Sequence, residues 1–160
     1  DFYSGGGLDT AFLGFGQIDR EGNVNVSKLA GVTVGPGGFI DIAQNARKVV
    51  FCGTFDTKGG EIKTGHGKLE MIKPGKVCKF VESVDQITFS GKQALVQGQV
   101  VLYVTERAVF SLSKGGLELV EIAPGVEMEI DVIDQMEFKP LISESIGTMN
   151  PKFFVDEKHA

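Results

Sequence analysis

Three glycines crowd one short stretch, Gly35-Pro36-Gly37-Gly38, directly before the apolar residues Phe39-Ile40-Asp41-Ile42. Glycine reaches backbone angles closed to other residues and lets a ligand approach the main chain closely. The segment that follows, Phe39 to Arg47, has helical character. Asp41 lies in its first turn, and Arg47 and Lys48 lie at its end, the order that the helix dipole favours. A helix start leaves backbone N–H groups without partners. A glycine turn aiming such groups at one point suits an oxygen that carries negative charge. Asp41 disfavours a bulky dianion such as phosphate, so the pattern fits a single developing oxyanion. A plain connection into a helix is the alternative reading of the same residues.

The remaining candidates are weaker. Lys58-Gly59-Gly60 follows an apolar strand, and a loop at a strand's carboxyl end can face a ligand crevice. Lys58 there could meet a phosphate, with an ordinary solvated lysine as the simpler reading. Gly5-Gly6-Gly7 reads as a structural turn, and Gly14-Phe15-Gly16 as close packing in a strand. Glu106-Arg107 is expected to be a buried pair or a turn with a structural role. His66, in a glycine turn, and His159, near the last residue, read as solvated surface histidines. No Cys/His cluster has metal-ligand spacing, so no metal is expected. Gly-x-Ser-x-Gly, the phosphate-binding Gly-x-x-x-x-Gly-Lys pattern and the dinucleotide fingerprint Gly-x-Gly-x-x-Gly do not occur.

These residues need a frame. Leu8 to Asp19 suits a buried strand, and Arg20-Glu21-Gly22-Asn23 a turn. Asn23 to Ser27 alternates as a half-buried strand, so the pair reads as a hairpin. Lys48 to Phe55 gives a continuous apolar strand. The unit 24–55 is therefore strand, loop, helix and strand, a right-handed crossover if its strands are parallel. Ile62 to Thr64 and Lys68 to Lys73 flank Gly65-His66-Gly67 as a hairpin. Further strands are expected at Phe80 to Phe89, Gln99 to Thr105, Ala108 to Leu112 and Leu117 to Ile122, the last two joined at Lys114-Gly115-Gly116. Ala123-Pro124-Gly125 stops the sheet. Glu129 to Met136 reads as a short helix burying Ile130, Val132, Ile133 and Met136, with a mixed tail over about 141–160. The whole predicts an α/β chain with a mixed, β-rich sheet and few helices.

Composition sets outer limits. The 160 residues fit one domain or part of one, with 42% hydrophobic and 23% charged residues, which argues against disorder. The 22 glycines are about twice the usual share of roughly 7% and imply many tight connections. A net charge of −5 with scattered Lys and Arg argues against a nucleic-acid surface. No apolar run is long enough for a membrane span. Cys52, in Val-Val-Phe-Cys-Gly, reads as a small buried hydrophobe. Nothing supports a disulfide to Cys78, and a reducing cytoplasm fits.

Taken in order, several segments resemble the family I coenzyme A transferases, most of all the single-chain acetate and propionate types. They are Asp1-Phe2-Tyr3-Ser4-Gly5-Gly6-Gly7-Leu8-Asp9, Gly22 to Ser27, Gly35 to Ile42, Val49 to Phe55, Gln86 to Phe89, Val104 to Phe110, and Glu121 to Gly125. The resemblance implies a partial CoA-transferase (NagB/RpiA-like) domain. It also implies CoA as substrate and covalent intermediate, with no permanently bound cofactor. In the family a glutamate attacks an acyl-CoA thioester, and the resulting anhydride becomes a glutamyl-CoA thioester that passes CoA to a second carboxylic acid. A Gly-x-Gly-Gly loop supplies oxyanion N–H groups beside the CoA. Carried over, this makes Gly37 and Gly38 catalytic donors, and Gly35, Gly37, Gly38, Phe39 and Lys58 the CoA-binding residues. The family's Glu-x-Gly-x-x-Gly nucleophile motif does not occur in these residues, so the resemblance makes this the C-terminal part of a longer enzyme, inactive alone. Acyl-CoA and carboxylate substrates, the missing N-terminal part and self-association into a homo-oligomer are the implied partners. Thioester hydrolysis, or a non-catalytic binding or assembly module of the same ancestry, are the alternatives.

Overall fold

The computed structural model describes residues 9–26, 28–29, 32–33 and 43–155. Among the described residues the strands in chain order are β1 (Thr10–Leu13), β2 (Gln17–Ile18), β3 (Val24–Asn25), β4 (Lys28–Leu29), β5 (Val32–Thr33), β6 (Lys48–Cys52) and β7 (Asp56–Thr57). They continue with β8 (Glu61–Gly65), β9 (Lys68–Lys73), β10 (Val77–Cys78), β11 (Val100–Val104), β12 (Ala108–Ser113), β13 (Gly116–Ile122) and β14 (Leu141–Thr148). One short helix, α1 (Gly91–Val96), precedes β11.

Six strands form the main sheet in the order β1-β6-β11-β12-β13-β14. β1, β6 and β11 run parallel, β12 and β13 follow as antiparallel hairpin strands, and β14 returns parallel to β13. The mixed α/β reading therefore holds. The expected unit 24–55 does not close as such, because β3 pairs with β2 in a separate two-stranded ribbon. The parallel neighbours of β6 are β1 and β11. The segment read as one strand over 8–19 splits into β1 and β2 around Gly14 to Gly16.

Strand alternation buries one face of the sheet. Ala11, Val49, Phe51, Val101, Tyr103, Phe110 and Leu119 point into a single core. The described helical residues of both parallel crossovers pack on that face. Ala43 and Ala46, around the described helical residues 43–45 of the β1-to-β6 crossover, are buried there, as is Ala94 of α1 in the β6-to-β11 crossover. Gln99 closes the first crossover by donating from Nε2 to the carbonyls of Ala43 and Ala46, at 2.7 Å each. That satisfies acceptors a helix end leaves open. Ser90 caps α1 by accepting the Gln93 N–H at 3.2 Å.

Several expectations need correction. Residues 80–89 are not a strand, and only single bridges tie Phe80 to Ile18 and Phe89 to Val24. The buried positions are Phe80, Val81, Val84 and Phe89, a spacing that does not alternate, while Glu82, Asp85 and Ile87 face solvent. Residues 128–135 form a π turn and a 3₁₀ turn, burying Val132, Ile133 and Met136 but exposing Ile130. Residues 141–148, read as the start of a mixed tail, complete the sheet. Cys52 is exposed rather than buried, and Cys52 and Cys78 are both free thiols. Among the described residues no helix is long and apolar enough to cross a membrane.

Candidate functional site at the carboxyl ends of the parallel strands

In open α/β sheets, ligands bind outside the carboxyl ends of parallel strands. Here β1 leads into Gly14-Phe15-Gly16, β6 into Gly53-Thr54-Phe55-Asp56, and β11 into Thr105-Glu106-Arg107. The last two connections meet. The Glu106 carboxylate accepts the Phe55 N–H through both oxygens, at 3.1 and 3.2 Å. Arg107, only 1% exposed, donates from Nη2 to Asp56 Oδ2 at 3.3 Å and to Glu106 Oε1 at 3.5 Å. Its Nη1 donates to the Asp131 carbonyl at 3.1 Å, and its guanidinium lies 4.5 Å over the Phe55 ring. Asp56 Oδ2 also accepts the Gly75 N–H at 2.9 Å.

Local chemistry explains the turn. Thr105 Oγ1 accepts the N–H groups of Arg107 and Ala108, at 3.3 and 3.0 Å, and donates to the Ala108 carbonyl at 2.9 Å. This hydroxyl closes the β11-to-β12 connection and turns Glu106 and Arg107 back toward residues 55–56. Arg107 Nε is buried with no hydrogen-bond partner among the described residues.

A lysine completes the cluster. Lys79 Nζ donates to Thr54 Oγ1 at 3.1 Å and lies 4.9 Å over the Phe15 ring. Thr54 Oγ1 in turn donates to the Asp56 carbonyl at 2.8 Å. Partial burial lowers the Lys79 pKa below the ordinary lysine value, and the nearby charges of Glu106 and Asp56 oppose that shift. The cluster thus holds two cations and two carboxylates on a floor of Phe15, Phe55 and Phe80. Its carboxylates are occupied by main-chain N–H groups and by Arg107. The arrangement is suited to fixing the backbone after β6 and β11 more than to proton transfer.

The residues picked out by sequence fare unevenly. Gly35, Gly37, Gly38 and Phe39 lie outside the described residues. Lys58 is exposed in a left-handed turn with Gly59, at φ 63° and 84°, and its carbonyl accepts the Lys76 N–H at 2.8 Å. Glu106 and Arg107 satisfy both alternatives at once, a pair held in a turn. His66 is an exposed residue of the β8–β9 turn with φ 54°. At Gly14 a Cβ would meet nothing within 4 Å, so close packing does not explain that glycine. Among the described residues no group of three or more His, Cys, Asp and Glu could hold a metal ion. Asp56, Thr54 and Lys79 were missed. The signal available for Asp56 was its place just past the carboxyl end of an apolar strand.

Fold and cluster together define an open α/β arrangement with a polar cluster at its parallel strand ends. No protein-family model matches the sequence. Acetate CoA-transferase YdiF of Escherichia coli O157:H7 is 47% identical over 156 residues, 98% of this chain and 29% of that protein. Caffeate CoA-transferase of Acetobacterium woodii is 46% identical over 162 residues, 98% of this chain and 31% of the relative. The crystal structure of the YdiF apoenzyme superposes with a TM-score of 0.94 at 47% identity, covering 98% of this chain and 30% of that one. A further YdiF structure is a thioester complex with CoA. Glutaconate CoA-transferase from Acidaminococcus fermentans shares the fold, with a TM-score of 0.64 at 18% identity over 94% of this chain and 60% of that one. By sequence and by fold this chain belongs to the family I CoA-transferases, and it spans about three-tenths of the length of YdiF.

Proposed function

We propose that the chain is the C-terminal part of an enzyme that moves CoA between a short-chain acyl-CoA, acetyl or propionyl, and a carboxylic acid. The observation that carries this reading is the 47% identity to an acetate CoA-transferase across 98% of the chain. The thioester complex of that relative supports a covalent route. A glutamate outside these 160 residues would attack the acyl-CoA carbonyl and expel the CoA thiolate, leaving an acyl-glutamyl anhydride. The thiolate would then attack the glutamyl carbonyl, releasing the carboxylate and leaving the glutamyl-CoA thioester. Each attack passes through an oxyanion. Gly37 and Gly38 would donate backbone N–H groups to it, with Gly35, Phe39 and Lys58 beside the CoA. The Arg107–Asp56–Glu106 cluster would hold the neighbouring loops rigid. A cytoplasmic homo-oligomer is the expected setting.

The test is steady-state kinetics of the parent protein with acetyl-CoA and propionate. Parallel double-reciprocal lines and a mass increase of one CoA on a glutamyl peptide are expected. Turnover independent of any carboxylate acceptor would replace transfer by hydrolysis. Replacing Gly38 by Pro, which has no backbone N–H, should lower kcat by about 10²–10³-fold, the effect of losing one oxyanion donor. The isolated 160 residues should show no transfer.

A further inference from the structure

Among the described residues, Lys79 is the one member of the carboxyl-end cluster that pairs with no opposite charge. The two carboxylates are already committed. Glu106 holds the Phe55 N–H through both oxygens, Asp56 holds the Gly75 N–H, and each also accepts from Arg107. The Lys79 ammonium carries three N–H donors. Its hydrogen bond goes to Thr54 Oγ1, and the Phe15 ring lies 4.9 Å away. Thr54 Oγ1 gives its own proton to the Asp56 carbonyl, so the hydroxyl fixes the ammonium without neutralising it.

The cation stands on a fixed base. The Lys79 carbonyl accepts the Ile18 N–H at 2.8 Å, and the Val81 N–H donates to the Ile18 carbonyl at 2.9 Å. Gly53 lets the Phe15 ring lie against the main chain, because a Cβ there would stand 2.9 Å from a ring carbon. A Cβ on Gly14 would meet nothing within 4 Å among the described residues, so the space beside the residue before Phe15 is open. Burial penalises the charge of Lys79 more than the nearby carboxylates favour it. Charges taken out of water are ordinarily paired. A half-buried ammonium that is held in place, unpaired and close to open space is arranged for an anion from outside these residues.

We infer that the Lys79 ammonium, positioned by Thr54 and Phe15, seats the carboxylate group of the acid that exchanges CoA. The inference rests on the proposed transfer reaction and names the residue that holds its acid substrate. Charge decides between a carboxylate and the phosphates of CoA. Asp56 and Glu106 are the carboxylates near the ammonium, and Arg107, the other cation of the cluster, is already taken by both of them. One ammonium therefore neutralises a carboxylate but leaves a phosphate dianion half compensated. The N–H donors that Lys79 has left match the oxygens of one carboxylate, and such charge-assisted hydrogen bonds are the strong ones.

The parent protein carrying Lys79→Met is assayed with acetyl-CoA and propionate. The KM for propionate should rise about tenfold or more, the weight of one hydrogen bond to a charged group, with the KM for acetyl-CoA unchanged. Lys79→Arg keeps the charge and should recover part of that loss. Thr54→Val frees the ammonium from its anchor and should raise the propionate KM by a smaller factor. An unchanged propionate KM, a fall in kcat alone, or a rise shared equally with acetyl-CoA would overturn the seat. So would a rise confined to acetyl-CoA, which would assign Lys79 to the phosphates of CoA. If Lys79→Met does not fold, Lys79→Gln is judged by the same criteria. A footprint that needs no turnover separates this inference from the function. The wild-type parent protein is labelled with an amine-reactive N-hydroxysuccinimide ester while propionate replaces chloride at equal ionic strength, and the Lys79 peptide is followed by mass spectrometry. Labelling of Lys79 should fall as propionate rises. Where no transfer is found, protection of Lys79 keeps the seat and refutes only the function, and unprotected Lys79 refutes both. Where transfer is found, an unchanged propionate KM in the variant refutes only the seat.

Discussion

Arg107 Nη2 stands 3.3 Å from Asp56 Oδ2, joining the ends of β6 and β11 across 51 residues of chain. The arginine is buried, and Asp56, at 11% exposure, is nearly so. Removing one partner of a buried pair costs more than the pair contributes, because the other charge is left uncompensated. The two partners are not equivalent. Asp56 and Glu106 keep the Gly75 and Phe55 N–H donors if the arginine goes. Asp56→Ala leaves Arg107 only the longer pair with Glu106, at 3.5 Å, and strips the Gly75 N–H of its acceptor, so it is expected to destabilise by about 3 kcal/mol, and Arg107→Met by less. Thermal unfolding of the parent protein carrying each change checks the order.

Tyr103 supplies a pH test. Its hydroxyl donates to the Gly22 carbonyl at 2.6 Å from a fully buried position. Burial first, and Asp19 second, push its pKa far above the ordinary tyrosine value of 10.0. The unfolded tyrosine ionises near that ordinary value while the folded one keeps its proton. Above it, the unfolded state binds fewer protons, so stability falls as pH rises. Tyr103→Phe should lose about 1 kcal/mol at neutral pH through the missing hydrogen bond. It should also lack this part of the alkaline decline. Urea midpoints between pH 8 and pH 11 should therefore converge for the two proteins.

Two glycines separate steric need from conformational habit. A Cβ on Gly91, at the start of α1, would run into the Glu21 carbonyl oxygen, a backbone atom that cannot swing aside. Gly91 also donates its N–H to Asn23 Oδ1 at 2.9 Å, tying α1 to the turn before β3. Gly91→Ala should cost about 1–3 kcal/mol by forcing that junction apart. Gly14→Ala meets open space and should be neutral, or stabilising by up to about 1 kcal/mol. Melting temperatures of the two variants, compared side by side, decide it.

What could be read from the residues was local. The β8–β9 ribbon and the β11, β12 and β13 strands carry alternation bounded by turn residues, so they were legible. The Phe80 to Phe89 segment was not, because its apolar residues are called inward by the β2–β3 ribbon and not by a strand period. Cys52 misled for a related reason. Val-Val-Phe-Cys looks uniformly apolar, as a strand covered on both faces does, yet Cys52 ends the strand exposed. The polar cluster was legible only at Glu106-Arg107. Asp56, 51 positions before Arg107, and Lys79 join it only through the fold.

Lys79 offers the last test, because its contacts and its burial pull in opposite directions. The ammonium gains the Thr54 hydroxyl and the Phe15 ring, and loses water. Burial is the larger influence, since it lowers the pKa despite the opposing charges of Glu106 and Asp56. A lysine whose folded pKa lies below its unfolded value of 10.5 penalises the fold while it stays charged. That penalty is present at neutral pH and fades as pH rises through the lowered folded pKa toward the unfolded one. Lys79→Met keeps an apolar stem against Phe15, and Thr54 keeps its bond to the Asp56 carbonyl. The variant should therefore match or exceed the wild type in stability at pH 7, within about 1 kcal/mol. Its relative standing should fall as pH rises toward 10. Paired urea titrations at pH 7 and pH 9.5 read the sign directly, and a variant that gains on the wild type with rising pH would show that the cation's contacts outweigh its desolvation.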